Sequence, residues 1–138
     1  MIKEKSLSIK DLVIDKPEEE LFAYHRSTMT SQEIFELEQE RIFSTCWLYL
    51  GHESETPNPG DYVRREIAGR PLFFVRSRKT GKINVFYNTC IHRGATICRQ
   101  DAGNGKSLQC FYHAWTFNTD GELIGVPDEE SYGGYWDK

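Results

Sequence analysis

Cys90-Ile91-His92 and, further along, Cys110-Phe111-Tyr112-His113 form the stretch that decides how this chain is read. Each half supplies one cysteine and one histidine, and residues 93–109 separate them, giving C-x-H-x17-C-x2-H. Thiolates and imidazoles are both metal donors. Structural zinc modules usually draw two ligands from a single C-x2-4-C knuckle. Here each half mixes the donor types, and a single residue separates the first pair. Mixed halves suit a site with two metal atoms, one taking both cysteines and the other both histidines. Each loop then gives one ligand to each atom.

Iron–sulfur clusters are held by cysteine thiolates, and in Rieske [2Fe–2S] centres two histidines replace two cysteines on one iron. Ligand type, number and pairing agree with that chemistry. Cys90, His92, Cys110 and His113 are therefore the candidate cofactor and metal ligands, and no catalytic residue is assigned. A structural zinc site made of the same four residues is the rival reading.

The rest of the composition sets bounds. A chain of 138 residues, 38% hydrophobic and 13% aromatic, is long and apolar enough to bury a core. Its formal charge of −4, with no basic stripe, argues against a nucleic-acid partner. The acidic runs Glu18-Glu19-Glu20 and Asp128-Glu129-Glu130 read as solvated surface. The longest apolar run, Cys46 to Leu50, is too short to span a bilayer, so no membrane association is expected. Met1-Ile2-Lys3-Glu4-Lys5 leads into no apolar segment of the secretory kind. A cytoplasmic location is expected, with cysteines used as ligands or buried thiols and not as disulfides.

Two regions differ in pattern. Residues 1–45 read as an N-terminal arm and helix: 1–20 are polar and form either a docked arm or a disordered one. Thr30 and Glu33 then make a capping-box pattern for a helix over about 31–43. Residues 46–138 read as a mainly β domain. Thr56 to Asp61 is a turn cluster, after which Tyr62–Ile67, Pro71–Arg76 and Lys82–Tyr87 read as a meander turning at Ala68-Gly69 and Thr80-Gly81. Short strands come next over Ser107–Cys110, Ala114–Asn118 and Glu122–Val126, the last two separated by Asp120-Gly121. Both ligand pairs then sit on loops between short antiparallel strands.

The run Cys90 to Ala95, the stretch Gly103 to Ser107 and the run Cys110 to Phe117 resemble the N-terminal Rieske domain of aromatic-ring-hydroxylating dioxygenase large (alpha) subunits. Phe35 to Phe43, Trp47 to His52 and Pro59 to Tyr62 extend the resemblance, and the tail from Tyr132 to Lys138 adds a weaker match. It implies a Rieske fold of three antiparallel sheets with the cluster at one tip and the histidine edge partly exposed. It also implies a ferredoxin or reductase as electron donor. The acceptor would be mononuclear Fe(II) in a catalytic domain of the same or a neighbouring large subunit, within a trimer-based oligomer. A carboxylate outside these residues would bridge His113 to that iron, where O2 adds to an aromatic ring. Such an iron needs two histidines and a carboxylate; no histidine comes after His113, so the catalytic domain is expected to be absent from this chain. Two alternatives stay open: a stand-alone Rieske ferredoxin, against which the helical segment before Trp47 argues, and an oxygenase acting on a quaternary amine. The substrate is not legible in these residues.

Several residues receive plainer readings. Cys46 and Cys98 are expected to be buried thiols, and His25 and His52 structural or surface residues. Trp115 is expected to pack as a lid on the ligand loop, and Arg93 to be either a surface charge or a domain contact. Gly94, Gly103 and Gly105 are read as turn glycines. Ala114 stands where many family members carry glycine, a change that leaves the ligands untouched. High-potential Rieske proteins place a serine and a tyrosine at the positions of Trp115 and Phe117, and pair two further cysteines as a disulfide. Neither feature is present here, so a potential near the bottom of the roughly −150 to +300 mV Rieske range is expected.

Overall fold

The structure is a computed structural model that describes residues 9–133. It divides into two compact units, one running to Trp47 and one starting at Leu48.

In the first unit a single helical turn, α1 (Ile9–Leu12), leads into a hairpin of β1 (Val13–Lys16) and β2 (Leu21–Tyr24). The strands are antiparallel, with Val13 opposite Tyr24 and Lys16 opposite Leu21. Pro17 starts the 3-10 turn between them, where its fixed φ suits the first helical position. So residues 13–20, expected as an arm or as disorder, belong to an ordered hairpin. Residues 1–8 and the tail from Gly134 lie outside the described residues.

Helix α2 (Gln32–Glu38) continues into a wider π turn over Gln39–Phe43. Its cap is Ser31, whose hydroxyl accepts from the Ile34 N–H, and not Thr30. Thr30 is occupied backwards: its N–H and hydroxyl donate to the carbonyls of Ser27 and Arg26, closing the preceding 3-10 turn.

Among the described residues, the second unit holds two antiparallel sheets. The larger runs β5-β4-β3-β6, with β3 (Asp61–Ile67), β4 (Arg70–Arg76), β5 (Ile83–Tyr87) and β6 (Ala102–Asn104). Ala68 and Gly69 both have positive φ, the two-residue hairpin geometry that matches strand twist. The smaller sheet runs β7-β8-β9, with β7 (Leu108–Gln109), β8 (Thr116–Phe117) and β9 (Leu123–Gly125). The meander and the three later strands lie where the alternation placed them. Strand β6 was not foreseen, and Gly103 sits inside it instead of in a turn. A Cβ there would come within 2.8 Å of the Tyr62 side chain on β3. Of the three sheets among the described residues, one is therefore the hairpin of the first unit.

The core of this unit joins strands to ligand loops. Phe73 and Val75 of β4 pack with Cys90, Cys98, Leu108, Cys110, Trp115 and Phe117. Burying a Phe or Val side chain contributes about 1.5–3 kcal/mol, so the ligand loops are anchored by the same apolar contacts that hold the sheets.

Candidate metal centre

Two loops present the four candidate ligands, and their backbones make the same turn. In the first, the Cys90 N–H donates to the Ala95 carbonyl at 2.8 Å and the Gly94 N–H to the Cys90 carbonyl at 2.9 Å. In the second, Cys110 donates to Trp115 and Ala114 to Cys110, both at 2.9 Å. The fifth residue of each turn is left-handed, Gly94 with φ 74° and Ala114 with φ 55°. The histidines fall out of step, two residues after Cys90 but three after Cys110. Ala114 is thus more than a small replacement for glycine, since it holds a conformation that costs an L-residue about 1–2 kcal/mol.

Different scaffolds close the two loops. The second is pinched by the β7–β8 ladder, Leu108 opposite Phe117 and Gln109 opposite Thr116. The first has no such ladder; buried Asn88 takes its place. Its Nδ2 donates to the Cys98 carbonyl at 2.8 Å, and its Oδ1 accepts from the N–H groups of Cys98 and Ile97 at 2.8 and 3.2 Å. Sequence reasoning passed over Asn88, because its partners lie about ten residues away and leave no periodic trace.

Cys90 and Cys110 are each only 2% exposed and lie in one buried cluster. Burial pushes the Cys90 thiol up, and the Cys110 thiol adds to this. The N–H groups of His92 and Arg93, donating to the Cys90 sulfur, pull it back. These donors suit a thiolate paired with a cation. His92 and His113 meet at the surface with ring centroids 4.7 Å apart and planes at 70°. Loss of hydration, then the charges of His92 and Arg93, hold the His113 imidazole below its ordinary range, favouring the neutral form a metal needs. The donors therefore form a thiol pair inside and an imidazole pair outside. Among the described residues, no three Cys, His, Asp or Glu side chains converge on one ion position.

Around the histidines the surface is apolar with a cationic rim. Ile91 is 76% and Phe111 59% exposed, and Tyr112 packs on His113 with centroids 3.9 Å apart. Arg93 lies over the Tyr112 ring at 5.6 Å and Arg99 over Phe111 at 4.6 Å. Trp115 is buried and lies flat on His92, centroids 4.6 Å apart and planes within 7°, as the lid expected of it.

Residues 46–135 match the Rieske [2Fe-2S] domain family. This chain belongs to that family. The Rieske fold and its [2Fe–2S] cluster accordingly apply to residues 46–135, and the paired donors fit the cluster: two sulfur ligands for one iron, two nitrogen ligands for the other.

Two Rieske oxygenase structures and one alpha subunit show that the chain is similar to part of longer proteins. The chain is 46% identical over 100 residues to the chlorobenzene dioxygenase subunit alpha of Cupriavidus sp. (strain PS12), covering 72% of this chain and 22% of that one. Naphthalene 1,2-dioxygenase from Rhodococcus sp. superposes with a TM-score of 0.79 at 38% identity, over 83% of this chain and 26% of that one. A quaternary ammonium Rieske monooxygenase gives 0.72 at 33% identity, over 81% and 31%. The chain thus spans about a quarter of the length of the proteins it matches.

The other expected residues divide. Cys98 is buried, and burial pushes its thiol up to about 12. Cys46 is exposed, contrary to expectation; it comes after Thr45 at the end of the π turn, outside the apolar core. His52 and His25 cap 3-10 turns, each accepting an N–H at Nδ1 from the residue two further on. No helix among the described residues is long and apolar enough to cross a membrane.

Proposed function

We propose that Cys90 and Cys110 hold one iron of the Rieske cluster and His92 and His113 the other. Residues 46–138 would then be the electron-transfer domain, and 1–45 an extension, of an aromatic-ring-hydroxylating dioxygenase alpha subunit. The observation that carries the ligand assignment is the segregation of donors: both sulfurs in the buried core, imidazole with imidazole at the edge. When bound, the cluster supplies one-electron transfer. The chain's part is to keep the thiols dry and the imidazoles at the surface, where a partner reaches them.

The apolar, cationic surface around the histidines supports docking of a ferredoxin or reductase, and of the catalytic domain of the same or a neighbouring alpha subunit in a trimer-based assembly. Mononuclear Fe(II) and addition of O2 to an arene belong to that other domain. Free thiols support a cytoplasmic location. The likeness to a quaternary ammonium monooxygenase supports a second reading, in which the same domain serves a non-aromatic substrate.

Iron and acid-labile sulfide analysis with EPR of the dithionite-reduced protein tests the ligand reading. Equal iron and sulfide, with the low average g-value of a histidine-ligated cluster, is the expected result. Zinc without sulfide would sink it. Mixing with separately purified oxygenase tests the role: a stand-alone ferredoxin would pass its electron to that oxygenase, and an alpha-subunit domain would not.

A further inference from the structure

The two ligand turns share a backbone but differ in the side chain that closes them. At the closing position of the first turn stands Ala95, and at the matching position of the second stands Trp115. The Trp115 carbonyl belongs to the second loop, where it accepts the Cys110 N–H. Its indole crosses to the first loop and lies flat on His92. Tyr132 packs against this indole, ring centroids 6.1 Å apart at 71°. Ala95 has no ring to offer His113 in return. Apart from His92, Tyr112 is the aromatic side chain that packs on His113 among the described residues.

We propose that Trp115 is a positioning residue that fixes the rotation of the His92 ring and makes the two histidine ligands inequivalent. This rests on the ligand assignment above. Three observations carry it. The stack is nearly parallel, so turning the imidazole about its bond to the chain would drive its edge into the indole. Trp115 is 6% exposed and seated in the core with Phe73, Val75 and Phe117, so it does not yield. The contact also joins the two loops, so the angle of His92 is referred to the loop that carries His113. His113 is held differently, by Tyr112, a 53% exposed ring of its own loop. One ligand is set by the core and the other by the surface.

The test compares Trp115→Phe with Trp115→Leu in the full, cluster-loaded chain. Phenylalanine keeps an aromatic face; leucine keeps apolar bulk without one. The readouts are the two histidine nitrogen couplings, resolved by pulsed EPR of the reduced protein, and the spread of its g-values. Expected is that Trp115→Phe keeps both couplings close to the unsubstituted protein. Trp115→Leu should shift one coupling while the other holds, or fail to retain the cluster. If both variants keep the original couplings and g-values, or both lose them alike, Trp115 is packing only and the proposal fails. An unsubstituted protein that lacks histidine-coupled signals altogether would instead overturn the ligand assignment on which it stands.

Discussion

Asn88 and Cys98 exchange two hydrogen bonds, side chain to backbone, each 2.8 Å long, and so close the loop that carries Cys90 and His92. A third bond, from the Ile97 N–H, uses the same Oδ1, and the Asn88 N–H is itself tied to the Pro71 carbonyl on β4. A single amide does for the first ligand loop what a strand ladder does for the second.

Replacing Asn88 by alanine strips three backbone groups of their partner, two of them buried and one half-buried. Each unsatisfied group costs about 1–3 kcal/mol, so a loss of several kcal/mol and poor cluster retention are expected. Asn88→Asp keeps both acceptor bonds but sets an acceptor against the Cys98 carbonyl 2.8 Å away, so it should be milder only while the carboxyl is protonated. Denaturant melts and iron content of the two variants measure this. An alanine variant as stable and as fully loaded as the parent would show that the loop is held elsewhere.

Ala114 is left-handed, so glycine should relax it. Ala114→Gly is expected to raise stability by about 1 kcal/mol, the αL relief being partly offset by glycine's freedom in the unfolded chain. The EPR spectrum should stay unchanged, because the ligands keep their backbone. A thermal melt that moves down would show that the methyl group contributes packing that outweighs the strain.

Thiol reactivity separates Cys46 and Cys98, the two cysteines outside the proposed ligand set. The thiolate is the nucleophile, and burial holds Cys98 as a thiol up to about pH 12. Cys46 is exposed. Alkylating the loaded protein near pH 8 should add one label, at Cys46, and raising the pH to about 10 should leave Cys98 unmodified. Peptide mapping reads the sites; equal labelling of Cys98 would contradict its burial.

The reduction midpoint should lie below zero, near the bottom of the roughly −150 to +300 mV Rieske range, because Trp115 and Phe117 bring no hydroxyl to the site. His113→Cys should lower it further, since a thiolate adds negative charge to the reduced cluster. Cys110→Ser should largely abolish the cluster. A titration in which His113→Cys leaves both midpoint and spectrum unchanged would mean that His113 is not a ligand.

Much of this architecture was legible from residue order. Alternation over Tyr62–Ile67 and Pro71–Arg76, punctuated by Ala68-Gly69, marks a hairpin because side-chain period and turn chemistry agree there. The two Cys/His pairs stand out in the sequence because thiol and imidazole have few reasons other than metal binding to recur at that spacing. What escaped depends on contacts without a period. Strand β6 is three residues long and centred on Gly103, so its only sign is the space that Tyr62 denies to a side chain. The β1–β2 hairpin leaves Val13, Ile14, Leu21 and Phe22 largely exposed, so no buried face announces it. Ser31 and Thr30 are both cap-forming types, and the use of the Thr30 hydroxyl in the preceding turn leaves the cap to Ser31. The equivalence of the two ligand turns is a backbone property, hidden by the one-residue offset of their histidines.

Cys90 and Cys110 lie in the same apolar cluster as Phe73, Val75, Leu108 and Phe117, so the two sulfurs proposed to bind iron are also interior surface. Metal affinity at such a place is folding free energy, and a species that binds only the native state raises its population by mass action. Iron supply therefore becomes a determinant of how much of this protein survives quality control. In an iron-starved cell its abundance should fall before any question of electron flow arises, and immunoblots with and without a chelator would show that decline even where synthesis is constant.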